Sequence, residues 1–93
     1  MAEAVPTVQI DNERFRVTEW RFAPGAETGW HRHEMVYVVV PMTTGKLKID
    51  LPGDEVMVSD LTAGVSYTRD AGVEHNVINA NDFEFVFVEV EVK

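Results

Sequence analysis

The 93 residues contain no cysteine. That excludes a disulfide framework and a thiolate metal site, so any metal must be held by histidine and oxygen ligands. Positive charge is scarce: eight Lys and Arg stand against 16 Asp and Glu, a formal charge of −8. A chain of that sign repels phosphate backbones and anionic bilayers, which argues against nucleic acid or membrane as a partner. Long apolar runs are missing as well, the longest being Met35 to Met42, far short of a membrane span. The first residues, MAEAVPTVQID, carry an acid where a secretory signal carries basic residues, and no apolar stretch follows. A cytoplasmic location is the expectation.

Helical periodicity is also absent, since no stretch sustains a 3.6-residue pattern for ten residues. What is present is a series of short β-type runs separated by turn residues. They are Val5 to Ile10, Arg14 to Phe22, Thr28 to His33, Val36 to Val40, Lys46 to Leu51, Val56 to Leu61, Ser66 to Arg69, His75 to Ile78 and Phe83 to Val92. Between them stand Asp11-Asn12, Pro24-Gly25, PMTTG, the tight PGDE turn at 52 to 55, and DAGVE. There is no linker and no internal repeat. Residues 1–93 read as one all-β domain, a sandwich or barrel.

The last run, FEFVFVEVEV, has apolar side chains at every even position from Val86 to Val92. Its odd positions begin as Phe83, Phe85 and Phe87 and end as Glu89 and Glu91. On this pattern the valine face is core, and the phenylalanine face needs a second sheet or a partner subunit to cover it. A homodimer is expected on that ground.

The chemistry-bearing residues gather in GWHRHEMVYVVV, Gly29 to Val40, and in GVEHNVIN, Gly72 to Asn79. His31 and His33 at i and i+2 on an extended segment share a face, so two imidazoles can reach one metal, and His75 is the third histidine of the chain. The spacing goes further. Gly25, His31, His33 and Gly45 resemble the first motif of the cupin family, G(X)5HXH(X)3-4E(X)6G, and Gly64, Gly72, His75 and Asn79 resemble the second, G(X)5PXG(X)2H(X)3N, with every interval kept. The resemblance spans residues 25 to 79, with the first motif at about 25–45 and the second at about 64–79. It implies a double-stranded β-helix, the cupin jelly-roll barrel, with His31, His33 and His75 as metal ligands on adjacent strands at one mouth.

Two positions depart from the motifs. Asp70 stands in place of the proline of the second motif, and Asp is also a turn former. The glutamate position of the first motif falls on Tyr37 or Val38, neither of which offers a carboxylate. Glu34 is the candidate extra ligand if the preceding loop is shortened, although strand parity points it away from the face of His33. Without it the set resembles the three-histidine variants of cupin dioxygenases. Imidazole ligands leave the divalent ion open among Fe, Mn, Ni and Zn.

Tyr37 is in phase with the histidines and is a candidate lining residue of the pocket, as are Tyr67 and Arg69 in SYTRD. The resemblance puts the face of Tyr67 and Arg69 inward, so Arg69 meets an internal carboxylate, holds a carboxylate-bearing substrate, or leaves the pocket at the barrel rim. Trp20, Phe22 and Trp30 read as barrel wall. Gly25, Gly45, Gly64, Gly72 and Asn79 read as structural turn residues. No catalytic acid or base is identifiable.

Two functions from different classes fit. One is a small metal-binding cupin that works as an Fe-type dioxygenase or related enzyme on a small organic substrate. The other is a non-catalytic cupin that binds a small molecule or metal as a sensor or storage module.

Overall fold

The computed structural model describes residues 2–93. It contains nine strands: β1 (Val5–Asp11), β2 (Phe15–Phe22), β3 (His31–Arg32), β4 (Val36–Pro41), β5 (Gly45–Leu51), β6 (Glu55–Leu61), β7 (Tyr67–Arg69), β8 (Glu74–Asn79) and β9 (Phe85–Val92). The PGDE turn is one turn of 3₁₀ helix, Pro52–Asp54, with Gly53 at φ 76°. Among the described residues no helix is long and apolar enough to cross a membrane.

The strands form a five-stranded sheet in the order β1-β2-β9-β4-β7 and a four-stranded sheet in the order β3-β8-β5-β6. Every strand pairing is antiparallel. The two inner faces pack on each other to give the jelly roll that the motif spacing implies.

Register sets a gradient along the inner face of the larger sheet, because residues directly opposite each other share a side. At one end Phe22 lies opposite Phe85, both fully buried. Next come Trp20, Phe87 and Pro41, then Thr18, Glu89, Val39 and Tyr67, and last Arg16, Glu91, Tyr37 and Arg69. Across the barrel, Leu47 and Asn79 lie opposite each other on β5 and β8, followed by Ile49 and Val77. The barrel is therefore closed and apolar at the phenylalanine end and polar at the other.

This parity reverses the sequence expectation for β9. Phe85, Phe87, Glu89 and Glu91 are the buried residues of that strand, at 0–7% exposure, while Val86, Val88 and Val90 are only half-buried. The smaller sheet, not a partner, covers the phenylalanines. Phe83 lies before the strand and is exposed. The valines form the outer face, in a row that runs through Ile10, Val17, Val90 and Val38 across four strands. Trp30, expected in the wall, is 55% exposed on the loop before β3, whereas Phe22 is fully buried and Trp20 lies half-buried in the wall.

Asn79 ties the closed end together. Its Nδ2 donates to the carbonyl oxygens of Phe22, Ala23 and Phe83, and its Oδ1 accepts from the backbone and side chain of Asn81. A buried amide that is fully bonded is a structural joint. Gly45 sits beside this joint, and a Cβ there would come within 2.8 Å of Asn81 Oδ1.

Candidate metal centre

The third strand is shorter than the sequence implies. Only His31 and Arg32 pair with β8, in the register His31 to His75, and the chain then leaves the sheet. Gly29, at φ 84°, turns the chain before the strand, and the peptides on either side of His33 are held by the next loop. The His33 N–H donates to the Val73 carbonyl, and the Gly72 N–H donates to the His33 carbonyl. Gly72 has φ 96°, a conformation that L side chains rarely adopt, so the loop that fixes His33 depends on glycine.

The three imidazoles converge. His31 Nε2 and His33 Nε2 are 3.0 Å apart, His33 and His75 Nε2 are 3.0 Å apart, and His75 and His31 Nε2 are 3.1 Å apart. The rings stand nearly at right angles to one another, at 68–86°. His31 Nδ1 lies 2.9 Å from the Gly29 carbonyl oxygen, which only accepts, so the proton sits on Nδ1 and Nε2 presents a lone pair. His33 stacks on the buried Tyr37 ring, with centroids 3.9 Å apart.

Burial first, then the neighbouring His31, pulls His33 down to about 4; burial, then His31 and His33, pulls His75 down to about 3. Both are therefore neutral at physiological pH, the form that binds metal. Three nitrogens crowded at this distance cannot all pair by hydrogen bonds, since a lone pair is no donor. A cation at the point of convergence satisfies all three.

The edge lengths indicate which coordination geometry fits. For metal–nitrogen bonds of about 2.1 Å, a tetrahedral set spaces its ligands about 3.4 Å apart and a right-angled facial set about 3.0 Å. The observed 3.0–3.1 Å matches the facial set. The group could hold a divalent ion, with the choice among Fe, Mn, Ni and Zn left open by imidazole ligands alone.

Beside the trio lies a cavity of about 220 Å³. Its wall is mostly apolar, and its polar groups are the three histidines, Tyr37, Tyr67, Arg69, Glu89, Thr28 and Ser59. Tyr37, Tyr67 and Arg69 thus line the cavity. The Arg69 guanidinium is exposed at the rim, 4.7 Å from the centre of the Tyr67 ring, and donates to the Thr68 carbonyl at 2.8 Å. Glu34 lies elsewhere. Its side chain is 77% exposed, faces Arg32 at 3.8 Å, and is absent from the groups whose ligand atoms converge. Glu34 lies between β3 and β4, outside any strand, so strand parity does not govern where it points.

The carboxylates near the site come instead from β9. Ligand-type atoms of His33, Glu89 and Glu91 lie within 4.8 Å of one another. Glu91 is already bound, since Arg16 Nε and Nη2 donate to its two oxygens at 2.8 and 3.0 Å. Glu89 is 7% exposed and has no hydrogen bond or ion pair among the described residues. Burial, then the charge of Glu91, pushes its carboxyl up to about 7. The sequence held a signal for both, because Glu89 and Glu91 continue the alternation of Phe85 and Phe87 and must share their face.

The cupin domain model matches residues 18–91. The chain is 62% identical to the Beta-alanine degradation protein BauB of Pseudomonas aeruginosa over 92 residues, which is 98% of this chain and 95% of that protein. A solved cupin domain from Bordetella pertussis superposes with a TM-score of 0.96 at 68% identity, covering 99% of this chain and 95% of the other. A protein with a double-stranded β-helix domain from Klebsiella pneumoniae shares the fold at a TM-score of 0.77 and 24% identity, covering 97% and 76% of the two chains. With three histidines at one mouth of a jelly roll and a family match across most of its length, the chain belongs to the cupin family.

Proposed function

We propose that this chain is a metal-dependent cupin enzyme, of the dioxygenase class, that acts on a small organic molecule. We further propose that it takes part in β-alanine degradation, as the name of its Pseudomonas aeruginosa relative states for that protein. The observation that carries the reading is the facial triangle of Nε2 atoms opening onto a small, mostly apolar cavity. A divalent ion held by His31, His33 and His75 would supply Lewis acidity and one-electron chemistry at that point. The chain's own residues have separate tasks. Gly29 and Tyr37 orient the imidazoles, the apolar wall keeps bulk water from the cavity, and Arg69 at the rim attracts a carboxylate-bearing substrate. We also propose that the working unit is a homodimer formed through the outer valine face.

The test is to purify the protein without chelator, measure its metal by elemental analysis, and follow O2 uptake with short amino, keto and hydroxy acids. One Fe(II) per chain and turnover of one of these compounds is the expected result. A stoichiometric metal with no turnover would favour a binding module, and no metal from any divalent salt would overturn the reading.

A further inference from the structure

Three oxygen-bearing side chains of the cavity wall have no partner among the described residues, and the Trp20 Nε1 of the same wall is a buried donor without one. Glu89, Tyr37 and Tyr67 line the same space, and no side-chain hydrogen bond of theirs is found among the described residues. They come from adjacent strands: Glu89 lies opposite Val39 on β4, Val39 lies opposite Tyr67 on β7, and Tyr37 precedes Val39 on the same face. Neither of the nearby cations forms an ion pair with Glu89 among the described residues. Arg16 is spent on Glu91, and Arg69 lies at the exposed rim over Tyr67.

A recess that offers a buried carboxyl and two phenol oxygens selects a small cation that carries several donors. A guanidinium needs a planar fork, whereas a primary ammonium has three donors in a compact head and matches one carboxylate and two hydroxyl oxygens. The histidine centre borders the same recess, with ligand atoms of His33 and Glu89 within 4.8 Å of each other, and would draw a carboxylate. We infer that Glu89, with Tyr37 and Tyr67, forms an ammonium-binding subsite, so that the cavity takes short amino acids with the amine at β9 and the carboxylate toward the histidines. The inference rests on the reading of the trio as a metal centre only for the carboxylate half. The ammonium half stands on the β9 geometry.

The test compares two probes of one shape, β-alanine and butyrate, which differ by an ammonium in place of a methyl group. Calorimetry on the metal-loaded protein should show β-alanine bound at least about tenfold more tightly than butyrate. Glu89→Gln, which keeps the shape and removes the charge, should abolish that preference while its metal content stays that of the wild type. Equal binding of the two probes by the wild type would overturn the inference. So would a preference that survives in Glu89→Gln, or a loss of metal from that variant, which would make Glu89 a ligand instead. Should Glu89→Gln fail to fold, Tyr67→Phe decides the matter: a preference reduced about threefold supports the subsite, and an unchanged one overturns it. If the wild type holds no metal, the enzyme reading fails, while the same pair of titrations on metal-free protein still tests the ammonium subsite.

Discussion

His75 is the residue on which the metal reading turns, because it alone comes from the second motif and supplies two of the three short nitrogen contacts. His75→Ala should retain the fold, since the side chain lies at the polar mouth, yet fall from about one metal per chain to almost none by elemental analysis. Unchanged metal content would refute the assignment. Glu89 and the imidazoles also act on stability, with opposite signs. A carboxyl raised to about 7 from a usual 4.5 stabilises the fold fully below pH 4.5, and that contribution is lost as pH rises toward 7. In chelator-treated protein the melting temperature of Glu89→Gln should therefore gain on the wild type between about pH 4.5 and 7. An identical pH profile for the two proteins would show that the carboxyl is not perturbed. His33 and His75, lowered to about 4 and 3, run the other way. Their neutral burial costs nothing above pH 6.5, and stability is lost as pH falls below it. Trp20 Nε1 is buried with no partner, so Trp20→Phe should change unfolding free energy by no more than about 1 kcal/mol, because an orphan donor leaves with the indole.

The loop between β7 and β8 shows how an element places a ligand. Gly72 bonds the His33 carbonyl at φ 96°, so Gly72→Ala puts an L side chain where one is rarely found and costs about 1–2 kcal/mol of stability. The larger effect should be on the metal, since the loop holds the peptide on both sides of His33. Metal titration of this variant should show weaker binding, and wild-type affinity would mean that the loop does not position His33. The sequence made Gly72 visible through its interval from His75, and the same spacing rule found the histidines and the jelly roll. What it misjudged were the two faces of β9. Valine at alternate positions outscores a mixed Phe and Glu face on hydropathy, but a barrel with a polar mouth buries carboxylates at one end and phenyl rings at the other. The local alternation was legible; which side faced inward was decided by the other sheet. Trp30 was misplaced for a related reason, because β3 begins only after it and no register holds the indole inward.

At the scale of the whole molecule, the reversed faces change the ground for a dimer without removing it. An antiparallel sheet usually turns a polar face to water, yet the outer side of the larger sheet carries Ile10, Val17, Val90 and Val38 in one row and Val36 beside Val92 in the next. Val36 and Val92 are 42% and 48% exposed. A second copy fits this face better than an unrelated partner for an electrostatic reason. Two chains of charge −8 repel each other wherever acids meet, and these rows contain none, while the nearby Glu19 and Glu84 are both paired with Arg21. Two-fold symmetry lets one apolar patch cover itself. Light scattering after size-exclusion chromatography should therefore give twice the 10.5 kDa chain mass. Val90→Asp, in the middle of the row, should give the single-chain mass with its metal content unchanged, because its side chain points away from the cavity. A wild type that elutes as a single chain at micromolar concentration, or a Val90→Asp variant that still dimerises, would place the contact elsewhere or remove it.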